Sequence, residues 1–337
     1  MKAAEEGKVT EVQGLIECPG VDINYADSLG GTGLWYALFK DHLQVVKLLL
    51  STPGIDVNKA MTTDGATPLY VASAYGHVEA VKELLANQQI NVNQGLTDIG
   101  ANPLFVASQE GHVDVVKELL AHPQINVNQA RTDVGATPLI VASQNGHVEV
   151  VKELLAHPQI NVNHAMTDNG ATPLYMASQN GLVEVVKELL ANPQINVNQG
   201  KTTDGTTPLF IASVNGHVEV VKELLAHPQI NVNQATADGS TPLLAGSHLE
   251  VVKELLADQR VDPNKIRTDD KDNAIIIAAD FGELDVVKLL LQCPKVVLGV
   301  KNKYGKTELD YAREGGHPDM VNAIQSRKTL LQLGHTC

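Results

Sequence analysis

The stretch TPLIVASQNGHVEVVKELLAHPQINVN, residues 137–163, is written again as TPLYMASQNGLVEVVKELLANPQINVN at residues 172–198. The same Thr-Pro-Leu position recurs at Thr32, Thr67, Asn102, Thr137, Thr172, Thr207, Thr241, Asn273 and Thr307, with five steps of 35 residues followed by 34, 32 and 34. A fixed period in this range marks one supersecondary unit stacked on copies of itself. At 337 residues and 43% hydrophobic content the chain is globular in composition and is expected to fold throughout.

One repeat can be parsed residue by residue. Thr137 is placed to cap a helix that begins at Pro138, where the missing N–H is harmless and the fixed φ is helical. That helix carries Leu139, Val141 and the small Ala142 toward its neighbours and ends at Gly146, a residue suited to a left-handed terminus. Val148, Val151, Leu154 and Leu155 then recur at helical spacing, with Glu149 near the positive end of the macrodipole. Pro158 terminates this second helix, Ile160–Asn163 alternates apolar and polar residues, and a turn-forming stretch follows. So small a helix pair exposes as much apolar surface as it buries, so stacking must supply its partner. Helices packed about 8 to 10 Å apart then imply a rod of very roughly 90 Å.

The unit GATPLYVASAYGHVEAVKELL at 65–85, followed by INVN, resembles the ankyrin repeat: a G-x-TPL-x-x-A start, GH between the helices, V-x-x-LL in the second and an Asn before the hairpin. The resemblance runs from about Ala3 to Arg327 and implies an all-α repeat solenoid, an ankyrin-like stack of helix-turn-helix units with short β-hairpin loops. The domain expectation is a single solenoid over 1–328, with an N-terminal cap unit at 1–30, internal repeats at 31–300, a C-terminal cap unit at 301–328 and a frayed tail at 329–337. Glu308 and Asp310 replace the Pro and the following apolar residue and read as polar cap positions. The period exceeds the family's usual 33, and Trp35, Tyr70, Phe105, Ile140, Tyr175, Phe210 and Leu244 replace its histidine, so a hydrophobic ladder is expected there. Between Leu243 and His248 three residues are missing relative to Leu209–His217, either a tolerated deletion or a hinge.

Catalysis finds no support in the sequence. Of the twelve histidines, seven recur at equivalent places, His77, His112, His147 and His217 before the second helix and His122, His157 and His227 before its closing proline. Neighbouring copies would stand about 10 Å apart, too far to share one zinc ion. HExxH, Gly-x-Ser-x-Gly and phosphate-loop patterns are all absent, so a non-enzyme with no cofactor and no metal is expected. Cys18, Cys293 and Cys337 read as free thiols. The net charge of -14 argues against nucleic acid, which needs clustered Lys and Arg. No apolar run approaches a membrane span and no signal peptide opens the chain, so the sequence reads as that of a monomer in the cytoplasm or nucleus.

Function is expected where copies differ. The third residue after each NVN motif is Met61, Leu96, Arg131, Met166 or Lys201, and three further on stand Asp64, Ile99, Val134, Asn169 and Asp204. The end of the first helix reads Ala74-Tyr75, Gln109-Glu110, Gln144-Asn145, Gln179-Asn180 and Val214-Asn215. In ankyrin-like stacks hairpin tips and first helices form one concave face, so the resemblance implies a protein partner held there. Leu96, Ile99, Val134 and Met166 either form an exposed apolar patch with Arg131 as a polar anchor or fold down over neighbouring hairpins. The alternative function is a spacer rod with no groove ligand. Asn93, Asn128, Asn163, Asn198 and Asn233 are candidates for the hydroxylation that the resemblance permits, or residues that bond their local backbone at a turn.

Overall fold

The computed structural model describes residues 1–246 and 248–333 of the chain. Among these residues there are 20 helices and no strand; one isolated antiparallel bridge joins Ala26 and Thr32. The chain gathers into two compact units, Met1–Asp168 and Asn169–Cys337, and each is described by itself.

The repeat is built as its residues dictate. Before the helix Pro103–Glu110, Asn102 stays extended and its side chain accepts a bond from the Phe105 amide at 2.8 Å. Thr67 and Thr137 cap their helices in the same way in the first unit, as do Thr172, Thr207, Thr241 and Asn273 in the second. Gly111 ends the helix at φ 76, and a Cβ built on it would lie 2.7 Å from the His147 ring, so both the turn and the packing demand glycine. The second helix of that repeat, Val113–Leu120, buries Val115, Val116 and Leu119 completely. In the helix Val148–Ala156 the buried set is likewise Val150, Val151 and Leu154, while Val148 and Leu155, expected in the core, are only half-buried.

Helices then cover one another across repeats. The first helices Pro68–Ala74, Pro103–Glu110 and Pro138–Asn145 pack in succession, as do the second helices Val78–Leu85, Val113–Leu120 and Val148–Ala156. The second unit repeats the arrangement with Pro173–Gln179 on Pro208–Val214 and Val183–Leu190 on Val218–Ala226. Each fully buried Leu contributes roughly 1.5–3 kcal/mol.

Two polar ladders fix the register between repeats. The side-chain amides of Asn58, Asn93 and Asn128 donate to the carbonyls of Gln89, Gln124 and Gln159 at 2.7 Å. Their carbonyl oxygens accept from the amides of Asn91, Asn126 and Asn161 at 2.8 Å. In the second unit Asn198 and Asn233 grip the next loop in the same manner. The expected local bond belongs instead to the other asparagine of the motif, since Asn91 accepts from the Asn93 amide at 3.3 Å. The second ladder is histidine: His112 and His147 donate from Nε2 to the carbonyls of Ala74 and Gln109, at 3.0 and 2.9 Å. His122, by contrast, serves its own turn by accepting from the Gln124 amide at 3.3 Å.

The loops are turns rather than arms of sheet. Leu96 and Ala101 close one with a single backbone bond of 3.0 Å, and Thr97 reaches the preceding turn at Asp64 with another of 2.9 Å.

At its start the first unit exposes Lys2, Glu5, Glu6, Lys8, Glu11 and Glu17, with Leu15 44% and Tyr25 60% exposed among them. Glu308 is not on an outer face but fully buried, its carboxylate accepting from the Gly299 amide at 3.0 and 3.1 Å and paired with Lys328 at 2.8 Å. Asp310 caps, accepting from the Thr307 amide at 2.9 Å. The last helix, Pro318–Gln332, runs into the segment expected to fray, and residues 334–337 lie outside the described ones. Cys18 and Cys293 are free thiols, and Cys337 lies outside the described residues.

In the shortened repeat the first helix is the single turn Pro242–Ala245, and Ser247, within the segment read as a tolerated deletion or a hinge, lies outside the described residues. The missing turn leaves a cleft of about 450 Å³ lined by Leu243, Leu244, Gly246, Ile277 and Phe281. Phe281 is 76% exposed at its mouth.

Two predictions follow from these contacts. Asn93→Ala, which removes two inter-repeat bonds, should lower stability in urea unfolding by about 2 kcal/mol, and Asn91→Ala by less than about 1 kcal/mol. Equal losses would show that the long-range amide grip adds nothing. Restoring the three residues missing after Leu244 in the order of the sister repeat should raise stability by about 1–3 kcal/mol, as the cleft fills; an unchanged unfolding midpoint would contradict this.

Candidate functional site

The positions that differ between repeats fall into two groups. On the turns of the first unit, Met61, Leu96, Ile99, Arg131, Val134 and Met166 are all half-buried, and only Asp64 is exposed. Leu96, Ile99, Val134 and Met166 therefore lean against the framework rather than forming a fully exposed apolar patch. Arg131 is not a free anchor either, because its Nε donates to Asp133 at 3.0 Å and its guanidinium lies 5.7 Å from the Phe105 ring centre. That guanidinium holds the Asp133 carboxyl below its ordinary range.

At the ends of the first helices the side chains reach solvent. Tyr75, Glu110, Gln144 and Asn145 are exposed and Gln109 is half-buried. They form a row across successive repeats, with Asn145 donating to the Gln109 carbonyl at 3.0 Å and Gln109 to the Glu110 carboxylate at 2.9 Å. In the second unit Asn180 and Asn215 are exposed and Asn169, Gln179, Lys201 and Asp204 half-buried. There Asn215 donates to the Gln179 carbonyl at 2.8 Å, and the Lys201 ammonium stands 5.5 Å from the Tyr175 ring centre.

The expected ladder in place of the family histidine is realised in part. Phe105 and Ile140 in the first unit and Tyr175 and Leu244 in the second are buried, whereas Trp35, Tyr70 and Phe210 are half-buried. Trp35 and Tyr70 instead line a cleft of about 440 Å³ together with Phe39, Asp64, Tyr75 and Glu110. Trp35 stacks on Phe39 at 5.4 Å, Tyr75 meets Phe39 edge-on at 5.3 Å, and Lys40 sits 4.8 Å from the Phe39 ring centre. Burial, and after it the nearby carboxylates Asp64, Asp98 and Glu110, push the Tyr70 hydroxyl up from its ordinary value. Sequence reading placed Tyr75, Asp64 and Glu110 here but missed Phe39 and the cleft role of Trp35. A signal was available: of the single Trp, seven Tyr and four Phe in the chain, five lie between Trp35 and Tyr75.

One irregularity borders the cleft. Where later repeats have a glycine before the second-helix histidine, Asp41 stands before His42, at φ 57. Gly76 leaves room for the His112 ring, which a Cβ would approach to 2.8 Å; Asp41 carries such a Cβ. His77, its neighbour, makes no carbonyl bond from Nε2 and instead faces the Asp41 carboxylate at 3.6 Å and stacks on Tyr75 at 5.9 Å.

Among the described residues, no three His, Cys, Asp or Glu side chains gather as a metal site, and no helix is long and apolar enough to cross a membrane. The repeated acids and lysines of the second helices pair at the surface, as in Lys82 with Glu79 at 2.8 Å and with Glu118 of the next repeat at 3.9 Å. Such exposed pairs add little stability.

The chain belongs to the ankyrin repeat family. The family model described as ankyrin repeats (3 copies) matches residues 1–95, 54–131, 104–201, 194–265 and 244–330. Members of this family are generally protein–protein interaction modules and generally non-catalytic. No curated protein matches the chain.

Replacing Asp41 with Gly should remove the left-handed strain and open space for His77, stabilising the protein by about 0.5–1 kcal/mol in chemical denaturation. A destabilised Asp41→Gly variant would mean that the Asp41–His77 contact outweighs both effects.

Proposed function

We propose that this protein is a non-catalytic binding module whose partner is another protein, docked on the turns and first-helix ends of the unit Met1–Asp168. One observation carries the reading: residues shared by the repeats are occupied inside the framework, while the residues that differ from copy to copy collect at this face. Asn93, Asn128, His112 and His147 are committed to inter-repeat bonds. Tyr75, Glu110 and Asn145 differ at one repeat position of this unit and, with Gln144, reach solvent and succeed one another along the face. Extended surfaces of this kind are what repeat stacks use for recognition. The corresponding positions of the second unit, Asn169, Gln179, Asn180, Lys201, Asp204 and Asn215, make a face of the same kind.

The opposite surface, lined by second helices, carries the same acid–lysine pairs in repeat after repeat and so offers a partner little to discriminate.

Crosslinking in the source cells followed by mass spectrometry tests the assignment. The double variant Val134→Asp/Met166→Asp, shown by circular dichroism to keep its helix content, should lose its crosslinked proteins by about tenfold or more, as charge placed in an interface does. Asp114→Arg, on the second-helix surface, should leave them unchanged. A partner set indifferent to the first variant and sensitive to the second would move the site to the other surface.

A further inference from the structure

The chain displays, twice, how a cation sits on the aromatic position that follows Thr/Asn-Pro-Leu. Arg131 lies over Phe105, and Lys201 lies over Tyr175, in each case from the turn 26 residues further on. The residues 26 positions after Trp35 and Tyr70 are Met61 and Leu96, so these two rings receive no cation from their own turns. Acid is nevertheless present. Asp64 and Glu110 border the cleft, and among the described residues neither is ion-paired: Asp64 Oδ1 accepts from the Ala66 amide at 3.0 Å and Glu110 Oε1 from Gln109 at 2.9 Å. Elsewhere the same arrangement is complete, since Arg131 on Phe105 has the Asp133 carboxylate beside it.

We propose that the cleft formed by Trp35, Tyr70, Tyr75, Asp64 and Glu110 receives an arginine side chain of the partner protein. The guanidinium takes, from outside, the place that Arg131 and Lys201 take from within. Arginine suits it better than lysine because a planar fork both stacks on a ring and bonds a carboxylate with two N–H groups. Desolvated contact with an aromatic wall strengthens the attraction beyond what an exposed carboxylate offers. Charge favours this occupant, because two unpaired carboxylates stand at a cleft of a chain whose net charge is -14. Lys40, over Phe39, marks the rim and stands on a different ring. This proposal rests on the protein-binding reading above and adds to it the chemistry of one anchor.

Trp35 is the only tryptophan, so its emission reports on the cleft directly. The probes are the blocked tripeptide Gly-Arg-Gly and its citrulline counterpart, which keeps the shape and loses the charge. The arginine peptide should change Trp35 emission saturably, and the citrulline peptide should bind about tenfold more weakly or not at all. Leu96→Arg, which supplies the internal cation already tolerated at Arg131, should abolish the response at an unchanged unfolding midpoint. Asp64→Asn/Glu110→Gln should do the same. Equal responses to the two peptides, no response to either, or an undiminished response in Leu96→Arg would overturn the arginine anchor. In that event, crosslinked partners that still depend on Val134 and Met166 would leave the binding face standing, whereas partners that do not would remove it as well.

Discussion

No helix pair in this protein can bury its own apolar side. The second helix Val113–Leu120 is eight residues long and the first, Pro103–Glu110, is no longer, yet Leu104, Leu119, Val115 and Val116 are wholly removed from solvent. The helices of the flanking repeats pack on this pair from both sides, and helices this short are marginal without tertiary support. Everything else in the repeat serves to hold its neighbours in register. The asparagine amides do so with two bonds at once, using donor and acceptor of one side chain on a carbonyl and an amide of the adjoining loop. Those loop groups are thus satisfied by the side chain of the preceding repeat rather than by a backbone ladder.

A local fault shows how tightly this system is coupled. At Asp41 the chain gives up the glycine that lets the histidine ring of the next repeat settle against the backbone. His77 then lacks the carbonyl partner that His112 and His147 have, and its ring turns toward Asp41 and Tyr75. One Cβ in the wrong place thus changes a polar bond in the adjacent repeat and the setting of an exposed tyrosine.

Most of the architecture could be read from the sequence, and the failures have physical causes. Caps, proline starts and glycine stops act within a few residues, so Thr137, Pro138 and Gly146 declare themselves. The amide grip of Asn93 acts across 31 residues and looks, in one dimension, like ordinary turn chemistry. Glu308 misled for a related reason: a carboxylate reads as surface until Gly299 and Lys328 are seen to close around it. At the candidate face, residue identity revealed which positions vary, but not that Leu96 and Met166 lean inward. The depth to which a side chain sinks depends on neighbours that the repeat period does not specify.

Framework and surface can vary independently because they use different atoms of the same residues. Met61, Leu96, Arg131 and Lys201 occupy one structural position, and each closes its turn through the backbone, to Ala66, Ala101, Ala136 and Thr206, at 2.9–3.0 Å. None of these bonds depends on the side chain. That side chain is consequently at liberty to be a cation lying over the aromatic ring 26 residues earlier, as Arg131 and Lys201 are, or to be apolar and leave the ring to others. A single substitution there alters charge and ring access at the surface while the caps, the asparagine grip and the buried leucines stay as they were. Such a separation lets near-identical repeats differ at their surface, and in the first unit it leaves Trp35 and Tyr70 beside carboxylates without an internal cation of this kind.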